Sequence, residues 1–361
     1  MNKETSVYLD FLRFSAAMIV FLGHAGSQRF SGGFFWRIAP FGQDSVDFFF
    51  VISGFVIGYV VDTREISGCA YFRSRFVRIY SVAAPAIFLT IVLDHIGFFI
   101  NPNVYNDIIG YKNSDVFWQI ISGALFLNQT WWNTISVGSN LPFWSLGFEI
   151  WYYAIFGIII FIENKSKYII LLLICLITGP KIVVMFPLWI MGWACYHFLK
   201  RGYLNPTIGL SIFGSTIIFY AVAKILIGSR GALWEEFSIS PARLGDYGYH
   251  YLLGILILAH IAGFYAAAPI IGKPFLHFSK PIKWIAGATF TLYLFHFPIL
   301  VFLLAIDPWP VASWASRGLI FIGTPIAVFG LAELTERRKD AWRRFMEQSL
   351  ILMRRRYSVP R

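Results

Sequence analysis

The stretch Val7–Ala25, VYLDFLRFSAAMIVFLGHA, decides how the rest of the chain is read. At 1.5 Å per residue it makes a helix of about 28 Å, close to the roughly 30 Å of hydrocarbon in a bilayer. Yet it carries Asp10, Arg13 and His24. Arg13 and His24 are eleven residues apart, which on an α-helix returns to within roughly 20° of one face, about 16 Å further along the axis. Asp10 falls on the same stripe. Ionisable side chains inside a membrane helix are costly and face a bundle interior, a wet cavity or a site. An Asp10–Arg13 pair that only fixed helix packing would leave His24 unexplained.

Outward from this segment the pattern repeats. Of 361 residues, 57% are hydrophobic and 14% are charged, and the mean hydropathy is +0.64. A soluble domain carries about 25% charged residues. The chain therefore reads as an all-α polytopic integral membrane protein with no soluble domain of any size. Ten spans are expected, near 7–25, 43–61, 79–100, 142–162, 168–181, 184–199, 206–227, 248–268, 284–305 and 315–334. The fifth and sixth are short and divided by Pro180 and Pro187. Val116–Leu127 is too short to cross and reads as interfacial or re-entrant. The first span lacks a small-residue cleavage site, so it is expected to be retained. Cys69, Cys175 and Cys195 match no metal spacing and suggest no disulfide framework.

Placing the N-terminus in the cytoplasm puts 21 of the 30 Lys and Arg on that side and 7 on the other, with Arg13 and Lys224 within spans. That asymmetry predicts both termini inside and an even span count. It also accounts for the formal charge of +11 without nucleic acid. Nine of the cytoplasmic cations lie between Arg337 and Arg361. Residues 337–361 read as a basic amphipathic tail, with Trp342, Phe345, Leu350 and Leu352 toward the bilayer and arginines toward anionic headgroups. Residues 1–336 form the membrane domain. The absence of an internal repeat argues against a transporter built from inverted halves.

Few polar groups lie within the spans, so each can be weighed. Asp44 and Asp47 open the second span at a depth similar to His24. A carboxylate holding the Nδ1 proton of His24 would leave Nε2 free as a general base. Asp47 is the candidate for this role or for a helix cap, and Asp44 is expected to face solvent. Ser53 and Gly54 read as small residues that let helices approach. Arg73, Arg75 and Arg78 make a compact cationic cluster at the cytoplasmic surface. It either anchors the chain or binds phosphates through planar forks. Coenzyme A, which carries several phosphates, would suit it. Glu149 lies about 10 Å below the outer boundary with nothing in its own helix to neutralise it, so Arg13 and His24 are candidate partners. Trp144, Trp151, Tyr152 and Tyr153 around it could form an aromatic wall for a sugar ring or an interface belt. His296, two residues before Pro298, either satisfies the carbonyl that the proline frees near residue 294 or lines the cavity. His197, His250 and His277 read as bystanders, and Asp94, His95 and His260 as weaker outer-side candidates.

Five motifs follow in order: Arg13 with ten residues before His24, GQDSVDFFFVISGF (42–55), RSRFVRIY (73–80), FWSLGFEIWYY (143–153) and TLYLFHFPI (291–299). Together, from Tyr8 to about Glu336, they resemble the membrane-bound acyltransferase 3 family. The resemblance implies a roughly ten-helix fold. It also implies transfer of an acetyl or other short acyl group from acyl-coenzyme A to a hydroxyl of a cell-surface or lipid-linked carbohydrate, in a bacterial inner membrane. By it Arg13 and His24 match the paired intramembrane motif, Arg75 and Arg78 the arginine-rich loop, and Glu149 the acid of the tryptophan–serine–leucine motif. Relatives often carry a second acid after the position of Leu146, and here only Glu149 stands there. Some carry a C-terminal hydrolase-like domain with its own serine nucleophile, and no such domain is expected here.

The expected scheme has the donor, acetyl-coenzyme A, dock on Arg73, Arg75 and Arg78, with no permanently bound cofactor or metal. His24 serves as general base, Arg13 or a backbone donor stabilises the oxyanion, and Glu149 holds His24 or binds the acceptor. Asp47, Trp144, Tyr153 and His296 would line the acceptor site. The alternatives are a flippase of a lipid-linked sugar, using the same polar groups as a path, and a membrane anchor recruiting partners through its tail.

Overall fold

The computed structural model describes residues 1–65, 67–106, 115–202, 204–228 and 238–344. Among these there is no strand, only an isolated bridge between Val137 and Asn140. Nine helical stretches among them are long and apolar enough to cross a membrane. The crossing helices are α1 (Lys3–Ala25), α2 (Ala39–Thr63), α3 (Gly68–Ile100), α4 (Trp144–Phe161), α5 (Ser166–Thr178), α6 (Pro180–Lys200), α7 (Pro206–Ile227), α8 (Pro241–Ile271) and α9 (Thr289–Ile306). The last crossing joins Trp314–Gly318, a π-helical turn at Leu319–Gly323 and α10 (Thr324–Leu334).

With 13 residues, α5 falls short of a normal span, but its two ends lie on opposite faces. It follows α4, whose end at Phe161 packs over Gly68 at the start of α3. At its far end the Thr178 carbonyl accepts from the Trp131 backbone N–H (2.9 Å), and the Leu176 carbonyl accepts from Trp131 Nε1 (2.7 Å). Trp131 belongs to the loop that leads into the opposite end of α4. Among the described residues the chain therefore runs ten times from face to face, nine of the runs long and apolar enough to cross, and Lys3 and Arg344 lie on one face. That face, called the basic face below, also carries Arg64, Arg73 and Lys283.

Two expected boundaries move. The arginine segment 73–80 is no loop but the second and third turns of α3, capped at Ser67, whose side chain accepts from the Ala70 N–H. The ninth span breaks at Gly287–Ala288 into an amphipathic surface helix, Ser279–Ala286, and α9. Val116–Ala124 is a nine-residue helix with Phe117 and Trp118 exposed, as expected of a piece too short to cross. The tail 345–361 and the cations Lys112 and Arg230 lie outside the described residues.

The interior is set by α9, 78% of whose crossing window is buried, against 6% for α7. The helix bearing His296 is thus the central pillar, and α7 is peripheral. Close approach of α2 and α6 depends on two glycines. A Cβ on Gly54 would lie 1.9 Å from the Trp189 carbonyl oxygen, and one on Gly192 would lie 2.0 Å from that of Val51. Small residues at such crossings let backbones touch and gain dispersion contact, which drives helix association where lipid offers no hydrophobic incentive. Pro298 frees the Leu294 carbonyl in α9, and Asn140 Nδ2 satisfies it at 2.9 Å.

Candidate active site

Between the helix ends on the basic face opens a vestibule of about 810 Å³. Its lining carries nine basic side chains (Arg13, Arg64, Arg73, Arg75, Arg78, Lys283, Arg337, Lys339 and Arg343) and four acidic ones (Asp10, Glu65, Glu336 and Asp340). A second, much smaller cavity of about 50 Å³ lies deeper, among Arg13, Phe49, Ser53, Arg78, Ser145, Glu149, Tyr153, Phe290 and Tyr293. Arg13, Arg78 and Phe290 line both, so the two spaces meet at these residues.

Arg13 and Arg78 face each other across that junction, in Coulombic reach of Asp10 and Glu336, with Glu149 also in reach of Arg78. Among the described residues neither guanidinium has a direct hydrogen-bond or ion-pair partner. Glu336 instead caps α9, its Oε2 accepting from the Phe290 and Thr291 N–H groups at 2.9 and 3.0 Å. Glu149 accepts from Ser53 Oγ at 3.0 Å and from the Tyr153 hydroxyl. Trp189 Nε1 in turn donates to Ser53 Oγ at 3.2 Å. Two fixed cations in the membrane interior without direct counterions are expensive. The geometry leaves them poised for an anionic ligand entering from the vestibule.

Toward the opposite face, His24 ends α1 and stacks on His296 with ring centroids 5.2 Å apart and planes 13° apart. The tautomers follow from the partners. His296 Nδ1 lies 2.8 Å from the Leu292 carbonyl, which can only accept, so Nδ1 carries the proton. In the neutral pair His296 Nε2 then holds a lone pair and accepts from His24 Nδ1 at 2.9 Å. His24 Nε2 is left as a bare lone pair without a partner among the described residues, on a half-buried ring. That is the form a general base needs.

This arrangement revises several expected pairings. His24 is oriented by His296, not by Asp44 or Asp47. Asp47 accepts from His250 Nδ1 at 2.8 Å, both fully buried, and lines neither cavity. Asp44 does not face solvent: it is buried, pairs with Lys224 at 2.7 Å and accepts from Tyr220 at 2.7 Å and Tyr249 at 3.1 Å. These contacts join α2 to α7 and α8, so His250 is a structural partner and no bystander. His260 sits between Tyr8 (2.5 Å) and Thr216 (2.9 Å), inside the bundle. Asp94 accepts from the Ser139 N–H and hydroxyl at 2.7 and 2.6 Å, anchoring the loop before α4.

Arg13 shares a helix face with His24 but not a site. Eleven residues separate them by about 16 Å along the axis, and both side chains lean toward the N-terminus alike, so the gap stays. It cannot serve an oxyanion at His24. Glu149 likewise faces Ser53 and Tyr153 in the deeper cavity and does not hold His24. The expected aromatic wall does not form. Only Tyr153 lines the cavity; Trp144 packs edge-on against Phe148, Trp151 Nε1 donates to the Phe126 carbonyl (3.0 Å), and Tyr152 lies among Phe50, Phe148 and Phe186. Arg75 is buried and bound to Glu65 at 2.7 Å, so it is partly committed within the chain. Gly54, not Ser53, takes the packing role, and Ser53 turns to Glu149. Glu65, Lys283 and Glu336 had no signal in the sequence, because an acid or a lysine near a helix end looks like any solvated surface residue.

A bundle of ten crossings with ionisable groups facing internal space is the architecture of an integral membrane enzyme or carrier. Comparison with known proteins decides between them at the level of family. The acyltransferase-domain profile of the acyltransferase 3 family matches residues 6–332, and the chain belongs to that family. It is also similar to acyltransferase MdmB of Streptomyces mycarofaciens, 29% identical over 154 residues. That match covers 40% of this chain and 36% of the relative, so the chain spans about a third of that protein's length. No solved structure matches.

Proposed function

We propose that this membrane acyltransferase moves an acetyl or other short acyl group from acyl-coenzyme A to a hydroxyl of a cell-surface or lipid-linked carbohydrate, across a bacterial inner membrane. The observation that carries this reading is the pair of spaces, basic vestibule and deeper cavity, that share Arg13, Arg78 and Phe290, with Phe290 six residues before His296 on α9. With its basic face toward the cytoplasm, as the charge asymmetry requires, the vestibule meets cytosolic coenzyme A. Arg73, Lys283 and their neighbours would read its phosphates. Arg13 and Arg78 would hold the anionic part of the donor at the mouth of the deeper cavity, and the acyl arm would run on past Tyr153 and Tyr293. Phe290 and His296 are six residues apart on α9, about 9 Å, a distance an extended pantetheine arm covers.

At the outer end His24 Nε2 takes the proton of the acceptor hydroxyl as the oxygen attacks the thioester carbonyl. The C–S bond then breaks, and the thiolate leaves with that proton. His296 holds His24 in the productive tautomer throughout. Purified protein given radiolabelled acetyl-coenzyme A and a bacterial surface glycan should place covalent label on the glycan, and His24→Ala should abolish it while the protein stays folded. Near-normal labelling by the variant would refute the assignment of the base. Glycan movement without label would favour the flippase reading.

A further inference from the structure

Phe290, Tyr293 and His296 follow at three-residue steps along α9, each about 4.5 Å further along the axis and turned by about 60° from the last. Phe290 lines both cavities, and Tyr293 lines only the deeper one. His296 and His24 line neither. The deeper cavity thus ends at Tyr293, whose ring is 6.5 Å from that of His296. The Tyr293 ring is buried and stands edge-on to Phe49 at 5.3 Å. Phe49, Ser145 and Leu146 complete the same layer. Below it lie two unpaired guanidiniums, and above it lies a histidine with an open lone pair.

We propose that Tyr293, packed on Phe49 between the donor cavity and the His24–His296 pair, is the door through which the acyl end of the donor must pass. The inference rests on the donor path proposed above. A membrane enzyme with a donor on one side and an acceptor on the other needs a seal between them. An open bore would join both solutions and let water reach the thioester. One ring on a pillar helix, packed on one aromatic edge, is enough to close a narrow passage. The space is smaller beside this ring, about 50 Å³ in the deeper cavity against about 810 Å³ in the vestibule. Rotation of Tyr293 about its side-chain bonds opens the layer without moving a helix. Tyr293 is therefore a positioning residue that couples donor access to the outer site.

The test does not depend on acyl transfer. Cys69, Cys175 and Cys195 are first replaced by Ser, and His24→Cys then places a single thiol at the outer site. The protein is placed in vesicles, and a membrane-impermeant anionic methanethiosulfonate is supplied to the basic face alone. With Tyr293 in place, the introduced thiol should react slowly. Tyr293→Ala should speed the reaction by about tenfold or more, since apparent reactivity scales with the open fraction. Equal rates in the two proteins, both slow or both fast, would overturn the proposal. Should the alanine variant fail to fold, Tyr293→Leu keeps an apolar side chain in the layer and is read by the same rate. In protein with His24 intact, Tyr293→Ala should raise coenzyme A release from acetyl-coenzyme A in the absence of acceptor, and an unchanged release would count against the door. If the parent transfers no acyl group at all, the proposed reaction falls while the labelling result still decides the door.

Discussion

His24 owes its poised lone pair to a neutral neighbour. A carboxylate partner would add charge to a site near mid-bundle. The imidazole of His296, itself fixed by the Leu292 carbonyl, sets the tautomer at no such cost. His296→Ala should therefore lower kcat/KM for acyl transfer by about 10²-fold or more, within the range of general-base effects. The melting temperature should stay near that of the parent, and unchanged kinetics would remove His296 from the mechanism. A second contrast separates two adjacent residues. Ser53→Ala leaves Glu149 and Trp189 short of one partner, which costs about 1–3 kcal/mol, and should impair transfer in protein that still inserts. Gly54→Ala would push a Cβ onto the Trp189 carbonyl. It should part α2 from α6 and lower the thermal midpoint in detergent by more than Ser53→Ala does; the reverse order would contradict this division of roles.

The peripheral hairpin α7–α8 is held to α2 by two buried links, Asp44–Lys224 and Asp47–His250. Breaking a buried pair from one side costs about 3–5 kcal/mol because the other charge is stranded. Lys224→Met should strongly destabilise the protein, and the double variant Asp44→Asn with Lys224→Met should recover much of the loss. Thermal unfolding of the two variants checks this, and equal damage in both would mean the pair is not the latch. This element also shows what a sequence conveys and what it withholds. The spans were legible because a window of about 20 apolar residues has one physical meaning in a bilayer. The stripe of Asp10, Arg13 and His24 was legible from helical periodicity. Periodicity gives faces, however, and not neighbours. That Asp47 meets His250, 203 positions away, and that His24 meets His296, 272 positions away, depends on which helices adjoin. For the same reason Arg13 and His24, one face but about 16 Å apart, belong to different stations of one path.

Over the whole molecule, charge is sorted by depth. The basic face carries the cations of the vestibule, two unpaired arginines mark its inner end, and a neutral histidine pair closes the far side. Arg73→Ala and Lys283→Ala should each raise the donor KM with little change in kcat, and the effect should shrink as salt screens the vestibule. Arg75→Ala should instead lower stability, because Glu65 loses its buried partner. Donor titrations at two salt concentrations, with melting curves for each variant, separate these outcomes. The family was readable from the order of the motifs, and the spans from their hydropathy. The vestibule was not, since Glu336, Arg337 and Lys283 come together only when α9 and α10 return to the face of α1. The most direct measurement uses sealed vesicles of one orientation, with labelled acetyl-coenzyme A confined to the basic face and the glycan to the other. The account predicts label on the glycan, lost with His24→Ala. Label that forms only when both substrates share one side would contradict it.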